Sequence, residues 1–196
     1  MHCLLPYLRY VFFLILFQPA MLVLGQNTFL KGGVNVSSVA GLREHSSLIA
    51  YHIGIGGLKD LSNKLSLKHE VNFSLQGAKM SPSGDKLHYY YLNMPVLLNT
   101  HLGKNLSFDA GPQFGIALNA IEKAKTDVDI TANLNTLDIS FCVGFNYLIT
   151  KSFFVEGRFN LGLNDISRNP DSGTHRNAVF QGSLGYYFKR KNQEPK

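Results

Sequence analysis

The chain is poor in charge, poor in cysteine and, after its first residues, without a long hydrophobic run. Asp, Glu, Lys and Arg make up 16% of its 196 residues, against the roughly 25–35% that solvates the surface of a soluble domain. Its cysteines are Cys3 and Cys142. If the first residues are removed on export, Cys142 is left alone and a disulfide framework is excluded. No segment past residue 25 approaches the roughly 18 continuous apolar residues of a membrane-spanning helix, and none carries a helical stripe. His45, His52, His69, His88, His101 and His175 show no metal-ligand spacing. Gly54-x-Gly56-Gly57 is followed by no helix, so it is not a dinucleotide fingerprint. Gly182-Ser183-Leu184-Gly185 is one residue off a nucleophile elbow and lies in a strand. The one dense basic cluster, Lys189-Arg190-Lys191, reads as a solvated tail and not as a nucleic-acid site. No cofactor, no metal and no nucleic acid are expected.

What is present begins with a leader. Residues 1–25 carry a basic start ending at Arg9, an apolar run from Tyr10 to Phe17, a break at Gln18-Pro19 and a second apolar piece ending at Gly25. Gly25 at −1 and Val23 at −3 suit signal peptidase, so cleavage is expected before Gln26. The rest has 18 basic and 13 acidic residues, too mild an excess to dictate a partner.

From residue 28 onward, period-two alternation predicts strands at about 28–40, 47–58, 64–79, 87–99, 105–120, 136–149, 152–165 and 177–189. In LDISFCVGFNY, Leu137, Ile139, Phe141, Val143, Phe145 and Tyr147 share one face, opposite Asp138, Ser140, Cys142, Gly144 and Asn146. In the fifth strand Leu106, Phe108, Ala110, Phe114, Ile116 and Leu118 oppose Ser107, Asp109, Gly111, Gln113, Gly115 and Asn119. A lipocalin-like soluble barrel would show the same period with its apolar face inside. The polar face here is built from Gly, Ser, Asn and Gln, which suit a narrow lumen, while the continuous apolar face could not be left in water. The expectation is therefore an all-β, eight-stranded antiparallel up-and-down transmembrane β-barrel in the bacterial outer membrane. Its parts are a signal peptide (1–25), the barrel (26–189) and a basic periplasmic tail (190–196).

Short links (59–63, 100–104, 150–151) alternate with longer ones (80–86, 121–135, 166–176), while the link 41–46 is short. Outer-membrane barrels keep short turns in the periplasm and longer loops outside. Tyr89, Tyr90, Tyr91, Tyr147, Phe153 and Tyr186 are expected in interfacial girdles. By parity Lys31, Lys68, Glu70, Asp109, Asp138, Glu156 and Arg158 point into the lumen. Charges there need partners, so an interior ion-pair network that plugs the barrel is expected; a constriction in a small ion-selective pore is the alternative.

FLKGGVNVSS, LSLKHEVNFSLQGAK, YYYLNMPVLL, FDAGPQFGIAL, FFVEGRFNLGLNDI and the closing LGYYFK, in that order, resemble the PorT family of outer-membrane proteins of the Bacteroidota across residues 28–189. Asn93, where an acidic residue is usual, and the basic tail depart from the family pattern. The resemblance implies a non-enzymatic, monomeric barrel set in outer-membrane lipid. It also implies a structural or accessory role in protein secretion or surface assembly, through an envelope or secretion-system partner. The other functional class is a lipid-modifying barrel enzyme of the deacylase type, which would need a His and Ser at the rim; His45 beside Ser46 and Ser47, and His88, are the residues placed to try it.

Overall fold

The computed structural model describes residues 27–42, 44–169 and 173–189. The expected leader and the tail from 190 lie outside the described residues. The strands are β1 (Asn27–Ala40), β2 (His45–Asp60), β3 (Leu65–Met80), β4 (Lys86–His101), β5 (Leu106–Lys123), β6 (Val128–Asp129), β7 (Leu137–Leu148), β8 (Phe153–Gly162) and β9 (Arg176–Lys189), with a 3₁₀ turn at Thr131–Asn133. All pairings are antiparallel, each long strand with its sequence neighbours. β1 also pairs with β9 from Thr28↔Lys189 to Ala40↔Arg176, which closes the sheet. Two-residue β6 only extends the top of β5. Eight strands thus form a barrel with no open edge, the arrangement that satisfies backbone groups in lipid.

Burial fixes which face is out. In β7, Phe141, Phe145 and Tyr147 are 46–54% exposed while Asp138 is 2% and Cys142 0% exposed. Leu30, Val34, Ile49, Ile53, Leu98, Phe159 and Phe180 repeat the inversion around the wall. Apolar outside and polar inside is the distribution of a lipid-embedded barrel. At the end carrying the short turns, Phe153 packs on Tyr186 and Tyr186 on Phe188, with centroids 5.0 and 5.7 Å apart. In the half of the wall nearer the longer loops, Phe73 and Tyr90 lie 6.1 Å apart.

Four expectations are corrected. Tyr89 and Tyr91 are not girdle residues: both are buried inside the barrel, because they share parity with lumen-facing Asn93 and Asn99. In β5 the register against β4 slips between Tyr90 and Tyr91, so Tyr91 opposes Ala117 while Tyr90 opposes Asn119. The bulge flips the faces above it: Ala120 is fully buried and Asn119 only partly so. The link 121–135 is not simply a loop, since β5 runs on to Lys123 and pairs with β6 before the 3₁₀ turn. β8 also stops at Gly162, short of the expected 165.

The lumen is filled in layers. At the turn end Phe29, Leu58 and Phe154 pack with Leu148 and Tyr187, the Phe29–Phe154 and Phe154–Tyr187 centroids being 5.4 and 4.8 Å apart. Glycine makes this possible. A Cβ on Gly185 would lie 2.1 Å from the Phe154 ring, and one on Gly56 2.6 Å from Phe29. At the loop end Val39, Ala78, Leu87, Tyr89, Tyr91 and Ala120 form a second apolar layer, completed by Leu134 and Ile166 from two loops. Those loops are tied together by Asn135 N–H to the Ile166 carbonyl (2.8 Å) and by the Asn135 side chain to the carbonyls of Asp165 and Ser167.

Candidate functional site

Between the two apolar layers lies a cluster of buried charges. The alternation of β1, β3, β5 and β8 sends Lys31, Lys68, Glu70, Asp109, Glu156 and Arg158 inward, and tilt brings them to one level. Lys31 Nζ is 2.6 Å from Glu156 and 2.8 Å from Glu70. Lys68 Nζ reaches Glu156 at 2.5 Å, Asp109 at 2.8 Å and Glu70 at 3.3 Å. Arg158 donates a fork to Glu70, Nη1 at 2.9 Å and Nη2 at 2.7 Å, and Nη2 also reaches Glu156 at 2.9 Å. Amides complete the acceptors: Asn99 and Asn146 donate to Asp109 at 2.6 and 2.7 Å, and Asn72 donates to Glu70 at 2.9 Å. Three cations face three carboxylates, all almost fully buried.

Charges in a narrow lumen lose several kcal/mol of hydration apiece. Only a balanced set with multiple contacts per ion offsets that loss, and this set is balanced. The turn-end aromatics support it from below, with Lys68 Nζ 5.4 Å from the centroid of Phe29 and 5.9 Å from that of Phe154, within cation–π range.

Asp138 sits apart. It is buried on β7 near the loop end, accepts a hydrogen bond from Asn177 at 2.8 Å, and Asn177 in turn lies 3.3 Å from the Tyr91 hydroxyl. Parity gave its direction and not its height.

A polar cluster that sequence reasoning did not assemble involves His52. Its Nε2 is 2.8 Å from Ser183 Oγ and its Nδ1 is 2.7 Å from Asn35 Oδ1. Asn35 also receives Gln181 Nε2 and donates to Ser74 and to the Leu75 carbonyl. A Ser–His–Asn chain has the connectivity of an activated nucleophile. Here all three residues are buried in the lumen between the charge cluster and the loop-end layer, where no acyl substrate could reach Ser183. The arrangement satisfies buried polar groups. At the rim, a His45 ring nitrogen bonds to the Leu42 carbonyl at 3.0 Å. Among the described residues no group of three or more His, Cys, Asp or Glu is placed to hold a metal ion.

Residues 26–168 match the family described as outer membrane protein beta-barrel domain. Among solved structures the chain is similar to Neisserial surface protein A, with 10% identity over 83% of this chain and 96% of that one and a TM-score of 0.55. It is also similar to Ail, the attachment invasion locus protein of Yersinia pestis, with 10% identity over 84% and 99% and a TM-score of 0.52. Identity this low speaks for the fold alone. No curated protein matches the sequence.

Proposed function

The chain belongs to the family of outer-membrane protein β-barrel domains, and from that premise we propose that it is a closed, non-enzymatic barrel of the bacterial outer membrane acting as an accessory to protein secretion or cell-surface assembly. The observation that carries this reading is the filled lumen. An ion cluster with three charges of each sign lies between an aromatic layer and a loop-supported apolar layer, which leaves the protein's ends, and not its interior, to do the work. The resemblance to the PorT family supplies the secretion role. In this reading residues 1–25 are removed on export, the longer loops face the cell exterior, and the turns and the tail from 190 face the periplasm. The partner is an envelope protein engaged there.

Three experiments test it. Planar-bilayer recording of the purified protein should show no steady conductance; ohmic channels would make it a small pore. Deletion of the gene, followed by profiling of surface and secreted proteins, should show specific losses. An unchanged profile would remove the accessory role. Amino-terminal sequencing of the protein from outer membranes should begin at Gln26, and an intact Met1 would refute the leader.

A further inference from the structure

One wall of the barrel carries a row of like charges that the fold itself does not need. In the register of β3 with β4, Lys79 stands opposite Lys86. In the register of β4 with β5, Lys86 stands opposite Lys123. Three lysines therefore lie side by side across three strands at one level. All three point outward: Ala78, Leu87 and Ala120 belong to the lumen layer, so parity puts 79, 86 and, above the bulge, 123 on the other face. Lys79 and Lys86 are exposed. Lys123 is paired with Asp127 at 2.5 Å and keeps 41% of its side chain exposed. Among the described residues neither Lys79 nor Lys86 has a carboxylate within ion-pair distance. Glu122, the remaining acid on this edge of β5, has the opposite parity to Lys123.

Like charges directly opposite on a sheet repel and destabilise it. A wall that keeps three in register, with a carboxylate partner for Lys123 alone, is best explained by an anion that neutralises the other two. The level of the row identifies it. Tyr90, four residues below Lys86 on the same outward face, packs with Phe73 on the outer wall, and Lys86 lies about 10 Å above it along a tilted strand. Below Tyr90 the outward positions include exposed Val96, Leu98 and Phe114, and apart from His69, which packs over Gly57, this wall is apolar and faces acyl chains. An anion at the lysine level, continuous with that apolar face, is the head group of a lipid.

We propose that Lys79, Lys86 and Lys123 form a binding site on the outer wall for the phosphate of a phosphorylated glycolipid in the outer leaflet. The site rests on the loops facing outward, as proposed above, and not on any role in secretion. The lipid's acyl chains would lie along β3, β4 and β5, while its phosphate takes the place of the counter-charge that Lys79 and Lys86 lack. Electrostatic attraction of this kind is worth about fivefold in affinity for each lysine near a charged surface and is screened by salt.

The test uses the full barrel purified in neutral detergent, with native mass spectrometry or thermophoresis to follow diphosphoryl lipid A, chemically dephosphorylated lipid A and inorganic phosphate. Diphosphoryl lipid A should bind more tightly than the dephosphorylated form, more weakly at high salt, and without competition from inorganic phosphate at equal concentration. The triple variant Lys79→Gln, Lys86→Gln, Lys123→Gln should lose tenfold or more of that affinity. A second triple variant at the turn end, Lys59→Gln, Lys104→Gln, Lys151→Gln, should lose none. Because the row is repulsive when empty, the first triple variant should also be at least as resistant to unfolding as the unaltered barrel in lipid-free detergent, which separates lost binding from lost folding. Equal affinity for the dephosphorylated lipid would mean adhesion through acyl chains alone. Equal competition by inorganic phosphate would mean a free-anion site. Undiminished binding by the first triple variant would place the lipid elsewhere. Each of these results overturns the proposal.

Discussion

Replacing Arg158 by Ala should be among the most damaging single changes in the barrel. The side chain is buried, donates a two-pronged contact to Glu70 at 2.7 and 2.9 Å, and contacts Glu156 at 2.9 Å. Without it Glu70 keeps Lys31 at 2.8 Å and Lys68 at 3.3 Å, but the cluster holds three carboxylates against two cations. One uncompensated buried charge costs about 3–5 kcal/mol, less if water enters the space the guanidinium leaves. The charge imbalance, and not the lost volume, is the cause to be isolated. A double variant, Arg158→Met with Glu70→Met, restores the balance and keeps apolar bulk, and buried pairs replaced together are often tolerated. It should therefore be more stable than Arg158→Ala. The assay is urea unfolding in lipid vesicles, read by the folded and unfolded gel mobilities of unheated samples. Lys123→Ala, whose ion pair is open to solvent, should leave the midpoint where it was. If Arg158→Ala cost under about 1 kcal/mol, or if the double variant lost the sum of its parts, the cluster would be hydrated and the sealed-lumen argument would fail.

Gly185→Ala should destabilise the turn end by about 1–3 kcal/mol through overpacking against the Phe154 ring, and Phe154→Leu in the same chain should recover part of that loss in the same urea assay; equal stability of Gly185→Ala and the unaltered barrel would refute the close packing. Partial burial alone would raise the Asp165 carboxyl, but the backbone N–H groups of His175 and Ser167, each donating at 2.9 Å, outweigh it and hold the group below its ordinary 3.8. A depressed folded-state value stabilises the loop fully above 3.8 and is lost as pH falls through the lower value, so the His175 amide resonance should titrate with a midpoint below 3.8 and stop responding in Asp165→Asn; a midpoint above 3.8 would contradict it. Trypsin added to intact cells should cut after Lys125 and spare Lys59, Lys64, Lys104 and Lys151 at the turns, and the reverse pattern would invert the orientation.

Much of the fold was legible because a barrel strand has one repeating question, inside or outside, and a period of two answers it. The seven charges read as inward by parity are all buried. What parity cannot supply is height. Asp138 and Asn146 share a face of β7, yet Asn146 opposes Ser107 and touches Asp109 while Asp138 opposes Gly115, eight residues nearer the loops. Which charges meet depends on strand stagger, a property of the closed sheet and not of any one strand. Parity also breaks at bulges, as Asn119 and Ala120 show. Tyr89 and Tyr91 differ from the expectation for another reason: an aromatic residue suits a girdle by composition, but its phase on the strand decides, and both share the odd positions of β4 with buried Asn93 and Asn99. The contact of His52 with Ser183 spans 131 residues of sequence and follows only from closure of β1 on β9.

The charge cluster does more than fill space. Its members come from β1 (Lys31), β3 (Lys68 and Glu70), β5 (Asp109) and β8 (Glu156 and Arg158), with amides from β4 (Asn99) and β7 (Asn146). β2 and β9 contribute room instead: a side chain at Gly54 would strike Asn72, and one at Gly56 or Gly185 the rings below. Every barrel strand therefore has a residue whose identity matters at this level. A slip of one residue in any charge-bearing strand would turn its charge onto lipid and an apolar side chain into the cluster. For Arg or Lys at mid-bilayer that exposure alone costs about 2–4 kcal/mol, and the charges left inside lose their balance as well. A chain without disulfides among its described residues thus fixes strand register through the pairing of opposite charges, and the contacts that close the lumen are the same ones that allow the barrel to close in one way.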